Sequence, residues 1–494
     1  MCSMNAPVQL RLVYHRTKIL CTVGPAVASP EKLYQLLTAG ADGFRLNFSH
    51  GSEESHAAYV RWIREAEQRV GRFVPIMVDL PGPKLRVATL PQGALELRAR
   101  EEVVLADVSQ GEGITPGRGE LSVIPVEYPT IARDLKVGDS ILLDDGKLRL
   151  KVTGKRGKGV RAIVVAGGIL QSRKGINVPG VQISLPSITE RDRRGIEFAA
   201  RYACDYVAVS FVRSAEDVRA VRRLLQETGS LAWVIAKIEK PEALADIERI
   251  LQAADGIMIA RGDLGVEIPA VQVPLVQKQL IQLANQRAKL VITATQMLES
   301  MVQNPMPTRA EASDVANAVL DGTDVVMLSS ETSVGAYPVE AVMYMRSICQ
   351  EAERALTVHP EVVHTLVGKG ERPERLTTDA IAAAAAAIAA EGHVQGIVSL
   401  TLSGETVRLI SKRRPPVPIL AVTQNPMVAR NVGLLWGTTG MLLERVGSTD
   451  ETIEEVKQLL RQQGYFMPGE RIVITIGRPL VARSRTNMLS IETI

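Results

Sequence analysis

Cysteine is scarce in this chain: four among 494 residues, Cys2, Cys21, Cys204 and Cys349, none of them in a CxxC pair. That excludes a cysteine-built zinc cluster and points to free thiols in a reducing compartment. Charge of one sign is also lacking, since 58 Lys and Arg face 54 Asp and Glu, a net +4. With no long basic run and no aromatic–basic interleaving, a nucleic-acid partner is not expected. The longest apolar run, Ala380 to Ala390, is bounded by Asp379 and Glu391 and is about half of what a bilayer span needs. The N-terminus shows no basic-then-apolar secretion pattern. A cytoplasmic protein without a membrane partner is the expectation. The phosphate-cradling motif GxxxxGK[ST] is absent too, so any nucleotide must be held by other means.

What is present is ordinary in bulk: 46% hydrophobic and 23% charged residues, in a chain too long for one core. The informative stretch runs from Trp233 to Glu267. It reads as strand, helix, strand and a glycine-punctuated charged loop. Lys237 and Glu239 stand two apart on the first strand, so alternation aims both at one face. The next strand, GIMIA, ends in Arg261, Gly262 and Asp263. Two carboxylates at neighbouring strand tips, with a lysine and an arginine beside them, suit a hard cation and an anionic substrate. From this stretch alone, a pair of structural salt bridges is the competing reading.

In chain order, RTKILCTV, GFRLNFSHG and PIMVDL alternate with helical segments, which predicts a parallel sheet with crossover helices. From Gly82 to Pro179 the rhythm gives way to short alternating strands and glycine turns, an inserted all-β lobe. Hung from a loop at a strand's C-terminal end, it could close over a site as a lid. The rhythm resumes with DYVAVSF, WVIAKIE, GIMIARGD, LVITATQM and DVVMLSSE, which brings the count to eight strands. Eight closes a (β/α)8 barrel, whose active sites lie at the C-terminal strand ends. That rule gathers Arg45, Asn47, Ser49, Asp79, Ser210, Lys237, Glu239, Asp263, Thr295 and Ser329 into one mouth.

From about Thr357 a linker containing VGKGERPERL leads to an alanine-heavy helix and then to strands GIVSL, PILAVT, GMLLER and RIVITIG with helices between, a separate open α/β domain. In it, TLSGETVR (Thr401 to Arg408) sets hydroxyls and a glycine before a helix. This is either an anion pocket at the helix N-terminus, to which Arg478 and Arg483 would add charge, or an ordinary N-cap.

FRLNFSHG, DLPGPKLR, KGINVPG, AKIEKPEAL, ARGDLGVE, ITATQMLESM, NPMPTRAEASDVANAVLDGTD and MLSSETSVGAYP follow one another in this chain. Together they closely resemble the pyruvate kinase family over nearly the whole length. The resemblance implies an α/β fold with the barrel in residues 1–82 and 180–355. It also implies a β-barrel lid in 83–179 and a C-terminal regulatory domain in 356–494. The implied activity is transfer of the phosphoryl group of phosphoenolpyruvate to ADP, giving pyruvate and ATP. By matched position, Glu239 and Asp263 ligate Mg²⁺, Lys237 and Arg45 face the phosphoryl group, and Gly262 and Asp263 offer N–H groups to the substrate carboxylate. Thr295 lies by the enolate, with Ser329 and Glu331 nearby. Arg86, Lys174 and His50 match contacts to the nucleotide phosphates. Asn47, Ser49, Asp79 and the carbonyl of Leu80 match a monovalent-cation cage. Here the chain departs from the common family pattern: Lys84 stands where an acidic residue is usual, and we read it as standing in for K⁺. Thr401, Ser403, Gly404, Thr406 and Arg478 match an effector site, with Leu402 replacing a lysine found in some members. A sugar monophosphate or AMP is therefore as fitting an effector as fructose 1,6-bisphosphate. A homotetramer is the family's usual assembly. The competing readings are a Mg²⁺-dependent aldolase or lyase acting through an enolate, and a phosphometabolite sensor without catalysis. The lobe's Arg86 and Lys174 speak against the first, and the intact Lys237, Glu239, Asp263 and Thr295 against the second.

Overall fold

The computed structural model describes residues 14–90, 92–108, 121–181, 183–356, 373–479 and 485–494. Cys2, Arg483 and residues 367–372 of the linker lie outside them. The predicted strands form β1 (Lys18–Val23), β2 (Gly43–Asn47), β3 (Ile76–Asp79), β4 (Tyr206–Val209), β5 (Trp233–Ile238), β6 (Gly256–Ala260), β7 (Leu290–Ala294) and β8 (Val325–Leu328). Every neighbouring pair is parallel, and β8 returns to β1 to close the barrel. Strands covered on both faces must be apolar throughout, and these are. Leu20, Met77, Ile235, Met258, Ile292 and Met327 fill the lumen. The alternate residues Ile19, Cys21, Val78, Val234, Ala236 and Val291 pack outward against the helices. Several outer helices begin with reciprocal capping boxes, Ser52 with Ser55, Thr189 with Asp192 and Thr308 with Glu311. These satisfy otherwise orphaned N–H groups and set where each helix starts.

A fourfold device recurs at the N-terminal, lower rim. Asp42, Asp205, Asp255 and Asp324 each immediately precede an even-numbered strand. Each carboxylate accepts the N–H of an odd-strand residue: Ile19 at 2.8 Å, Ile76 at 2.8 Å, Val234 at 2.9 Å and Val291 at 2.8 Å. All four are paired with cations: Asp42 with Arg346, Asp205 with Arg64 and Arg430, Asp255 with Arg222, and Asp324 with Lys412 and Arg414. Buried carboxylates are tolerable only on such terms.

The inserted lobe is a six-stranded sheet plus a separate two-stranded one, with a single short helix, Ile131–Asp134, among its described residues. Arg86 bridges to Gly175 at one edge of the larger sheet and Val87 bridges to Val126 at the other. The stretch that enters the lobe therefore joins the sheet's two margins. The C-terminal region contains a five-stranded sheet. β9 (Gly396–Leu400), β10 (Ile419–Thr423), β11 (Thr438–Leu442), β12 (Arg471–Ile476) and β13 (Met488–Thr493) lie in the order β11-β10-β9-β12-β13. The last strand is antiparallel and was not expected from the sequence. Its residues are only half-buried, so its apolar pattern is weak.

This sheet and its helices form the floor of the barrel. Tyr206, Trp233, Leu290 and Val325, at the lower strand ends, share one continuous core with Val407, Ile410, Val432, Leu434 and Leu435. Arg430, Lys412 and Arg414 reach from this region to the rim aspartates.

Candidate active site

Strand parity carries Lys237, Asp79, Arg45 and Ser210 to the upper end of the lumen, one step above the apolar layer that includes Ile235 and Met77. The Lys237 ammonium lies 2.7 Å from Ser210 Oγ, 3.2 Å from Asp79 Oδ1 and 3.0 Å from Glu239 Oε1. Burial alone would push this ammonium down, but Asp79 and Glu239 outweigh it and hold the group above its usual range. Arg45 Nε donates to Asp79 Oδ2 at 2.6 Å, and its Nη1 donates to Thr22 at 3.0 Å. Burial raises and the two cations lower the Asp79 carboxyl, with the cations prevailing.

Glu239 is fully buried. Its Oε2 accepts the N–H of Phe211 at 2.7 Å, while Oε1 faces Lys237 without an aligned hydrogen bond. Burial first, and then the charge of Asp263, lifts this carboxyl above its ordinary range, with Lys237 opposing. Glu239 and Asp263 therefore sense each other across one space. Two carboxylates that feel each other's charge, one of them fully buried and held against the Lys237 ammonium, are a donor set that a hard divalent cation takes, so the pair fits a divalent metal. Among the described residues, no group of three or more His, Cys, Asp or Glu could hold a metal. An ion at this pair must then take its remaining ligands from substrate and water.

Asp263 opens the helix Arg261–Glu267 directly after β6. Gly262 N–H donates to Thr295 Oγ1 at 2.8 Å. Thr295 and Gln296 both adopt left-handed backbone, φ 68° and 54°, a conformation that costs free energy for residues other than glycine. Arg261 holds them there. Its guanidinium donates to the carbonyls of Thr295 (2.6 Å) and Gln296 (3.0 Å) and is anchored by Asp314 at 2.5 Å. The sequence sets Arg261 beside the two carboxylates as charge for an anionic substrate; in the structure its guanidinium is spent on backbone oxygens. Glu331, its carboxyl raised by burial, accepts the N–H groups of Leu298 and Ser329.

The residues matched to the cage make the following contacts. Asp79 is committed to Arg45 and Lys237, the Leu80 carbonyl accepts from Ser210 Oγ at 2.6 Å, and Asn47 Oδ1 accepts from Ser49 N–H at 3.1 Å. Lys84 does not contact these groups. Its ammonium lies 3.2 Å from Asp263 Oδ1, on the side of the divalent-metal pair. Gly82, at φ +65°, turns the chain toward Lys84, and a Cβ there would meet Phe211 and Ser210 at 2.9 Å.

At the root of the lobe, Arg86 donates to the Arg173 carbonyl at 3.1 Å, and Lys174 pairs with Asp144 at 2.8 Å. His50 is exposed at the same mouth. Partial burial and then Arg86 and Arg45 push its imidazole below its usual range. Asn177 and Lys240 both bind Glu267, at 2.8 and 2.6 Å, and so tie the lobe's return strand to the end of the metal-side helix.

The second candidate site is separate. Gly404 is the left-handed N-cap (φ 82°) of the helix Glu405–Ser411, and its N–H donates to Thr401 Oγ1 at 2.9 Å. A Cβ at Gly404 would meet Val432 at 2.9 Å and Trp233 at 3.3 Å, so only glycine fits. Thr406 Oγ1 is hydrogen-bonded to Thr486 Oγ1 at 2.6 Å, while Ser403 and Arg478 are exposed.

Comparisons with known proteins identify the family. The family model for the pyruvate kinase barrel domain matches residues 14–342, and that for the pyruvate kinase alpha/beta domain matches residues 379–492. The chain is 46% identical to a pyruvate kinase of Geobacillus stearothermophilus over 97% of this chain and 80% of that one. It is 42% identical to one of Corynebacterium glutamicum over 97% of each. A crystal structure of a pyruvate kinase from Cryptosporidium parvum superposes with a TM-score of 0.88 at 34% identity, covering 97% of this chain and 96% of that one. On fold and relatives alike, the chain belongs to the pyruvate kinase family and is a phosphotransferase.

Proposed function

We propose that the chain transfers the phosphoryl group of phosphoenolpyruvate to ADP at the mouth built around Lys237, with Mg²⁺ held by Glu239 and Asp263. The observation that carries this is the meeting of Lys237, Asp79, Ser210 and Glu239 at one point, with Asp263 in electrostatic reach. Phosphoryl transfer asks mainly for positioning and charge neutralisation. Lys237 and Arg45 supply positive charge to the phosphate oxygens, and Arg86, Lys174 and His50 receive the nucleotide phosphates. The N–H groups of Gly262 and Asp263 orient the substrate carboxylate, Gly262 exchanging its bond to Thr295 for one to substrate. The P–O bond to the enolate oxygen breaks as a P–O bond to the ADP terminal phosphate forms. The methylene carbon of the enolate then takes up one proton, on the face lined by Thr295, with Ser329 and Glu331 behind it. A bound Mg²⁺ supplies neutralisation of the oxygens between donor and acceptor.

Turnover is expected without K⁺, because the cage groups satisfy one another and their carboxylate already carries two cations. Assay in potassium-free buffer tests this, and strong K⁺ activation overturns it. A phosphorylated effector is expected to bind Thr401, Ser403, Gly404 and Thr406, with Arg478 alongside, and to activate at subsaturating phosphoenolpyruvate. Exposed Val271, Leu275 and Met306 support a homotetramer, measurable by light scattering. The deciding experiment couples the product to lactate dehydrogenase with phosphoenolpyruvate, ADP and Mg²⁺. NADH oxidation that requires ADP supports the reading, and turnover independent of ADP refutes it.

A further inference from the structure

On the helix Glu405–Ser411, Arg408 stands two residues beyond Thr406. Two residues span about 200° of helix. Thr406 therefore turns to Thr486 while Arg408 turns to the barrel floor. There its guanidinium lies over the Trp233 ring, 5.5 Å from the centroid. The side chain is half-buried, and Nε is sealed from solvent with no hydrogen-bond acceptor. Among the described residues no carboxylate lies in ion-pair contact with it. The nearby acids are engaged elsewhere: Asp255 with Arg222 at 2.8 Å and Glu405 with Arg375 at 3.1 Å. Lys289 lies within electrostatic reach of Arg408 and donates to the Ala254 carbonyl at 2.7 Å. Burial first, and then Arg408, brings its ammonium down to about 7. Four cations thus share two carboxylates, and among the described residues the Arg408 guanidinium has the Trp233 ring but no carboxylate as its partner. A buried charge left in that condition is costly, and a protein commonly keeps one where an anion of the opposite sign completes it.

We propose that this crevice, between the helix Glu405–Ser411 and the barrel floor, binds a phosphate-sized oxyanion on Arg408 and Lys289, with Arg222 and Arg375 flanking it. The anion is either free phosphate or the phosphate of a small monoester. The site is distinct from the Thr401–Thr406 loop, yet it shares Trp233 with it through the close approach of Gly404. An occupant would therefore bear on both the loop and the lower end of β5, the strand that carries Lys237.

Calorimetric titration of the full chain tests this, with phosphoenolpyruvate and Mg²⁺ present and ADP omitted so that the catalytic mouth is filled. Inorganic phosphate and glucose 6-phosphate are titrated in parallel, and the tighter of the two identifies the source. In the Thr401→Val background, which disables the effector loop, at least one is expected to bind saturably, with affinity about tenfold or more weaker when Arg408→Gln is added and intermediate with Arg408→Lys. If Arg408→Gln does not melt cooperatively, Lys289→Met carries the same expectation. The proposal is overturned if neither ligand binds the wild type, if the added Arg408 or Lys289 substitution leaves binding as tight as in Thr401→Val alone, or if Thr401→Val abolishes binding.

Discussion

Replacing Lys237 with methionine keeps the length and apolar stem of the side chain and deletes its ammonium. Three oxygens lose a partner: Ser210 Oγ, Asp79 Oδ1 and Glu239 Oε1. The two carboxylates do not suffer equally. Asp79 keeps Arg45 at 2.6 Å, whereas Glu239 keeps only the Phe211 N–H at 2.7 Å and still feels Asp263. Breaking one side of a buried pair costs about 3–5 kcal/mol, so a destabilisation of that order is expected at neutral pH, most of it at Glu239. Its carboxyl, already above 4.5, rises further once Lys237 is gone. A carboxyl raised in the folded state carries no penalty below its unfolded value, and the penalty grows as pH climbs through the folded value. The deficit should therefore be largest at neutral pH and shrink toward pH 4.5. Mg²⁺ should restore more stability to the variant than to the wild type, because it replaces the missing positive charge beside Glu239. For turnover, loss of a preorganised electrostatic group predicts a fall in kcat of about 10²–10³-fold. Melting curves across that pH range, with and without Mg²⁺, and coupled kinetics read all of these. A kcat within a few-fold of wild type, or a melting deficit indifferent to pH, would refute the reasoning.

Three further substitutions probe different parts of the molecule. Glu239→Gln should raise the Mg²⁺ needed for half-maximal turnover by about tenfold or more, as loss of an anionic ligand does; an unchanged Mg²⁺ titration rules out its role as a ligand. Arg261→Met should lower kcat by about tenfold by releasing the left-handed Thr295 and Gln296, with the Mg²⁺ requirement unaltered. A full kcat would show that this backbone holds itself. Asp42→Asn tests the lower rim. Burial would raise the Asp42 carboxyl, but Arg346, His15 and Lys18 outweigh it and hold it well below 3.8. Its contribution is present above that value and lost on acidification. The variant should be about 3–5 kcal/mol less stable at pH 7 and nearly equal to wild type in strong acid; a deficit constant with pH contradicts the pairing.

The barrel and its mouth were legible because two simple periodicities carry them. Alternation along a buried strand decides which side chains face the lumen, and Arg45, Asp79, Ser210 and Lys237 all obey it. What escaped was decided by distance in space. The sequence distinguishes Lys84 from the usual acidic residue, but only the fold shows its ammonium paired with Asp263. Arg261 acts on carbonyls, which every residue possesses, so no side-chain pattern advertises it. β13 is a half-exposed edge strand whose pairing is fixed by β12, in the register of Arg471 through Ile476 against Thr493 through Met488. One signal was available and unread: an aspartate before strands β2, β4, β6 and β8, as in ADGF, CDYV, ADGI and TDVV.

The C-terminal region meets the barrel as a floor, and this bears on how the molecule can be cut. Tyr206, Trp233, Leu290 and Val325 share their core with side chains of that region, and without it Asp324 would lose both Lys412 and Arg414. Ending the chain after the barrel's last helix would bare a greasy disc and strand an anion at its rim. Such a fragment should clump in the test tube, however complete its catalytic mouth, and anyone wishing to study catalysis apart from control must sever the two by point substitution, with the scissors left in the drawer.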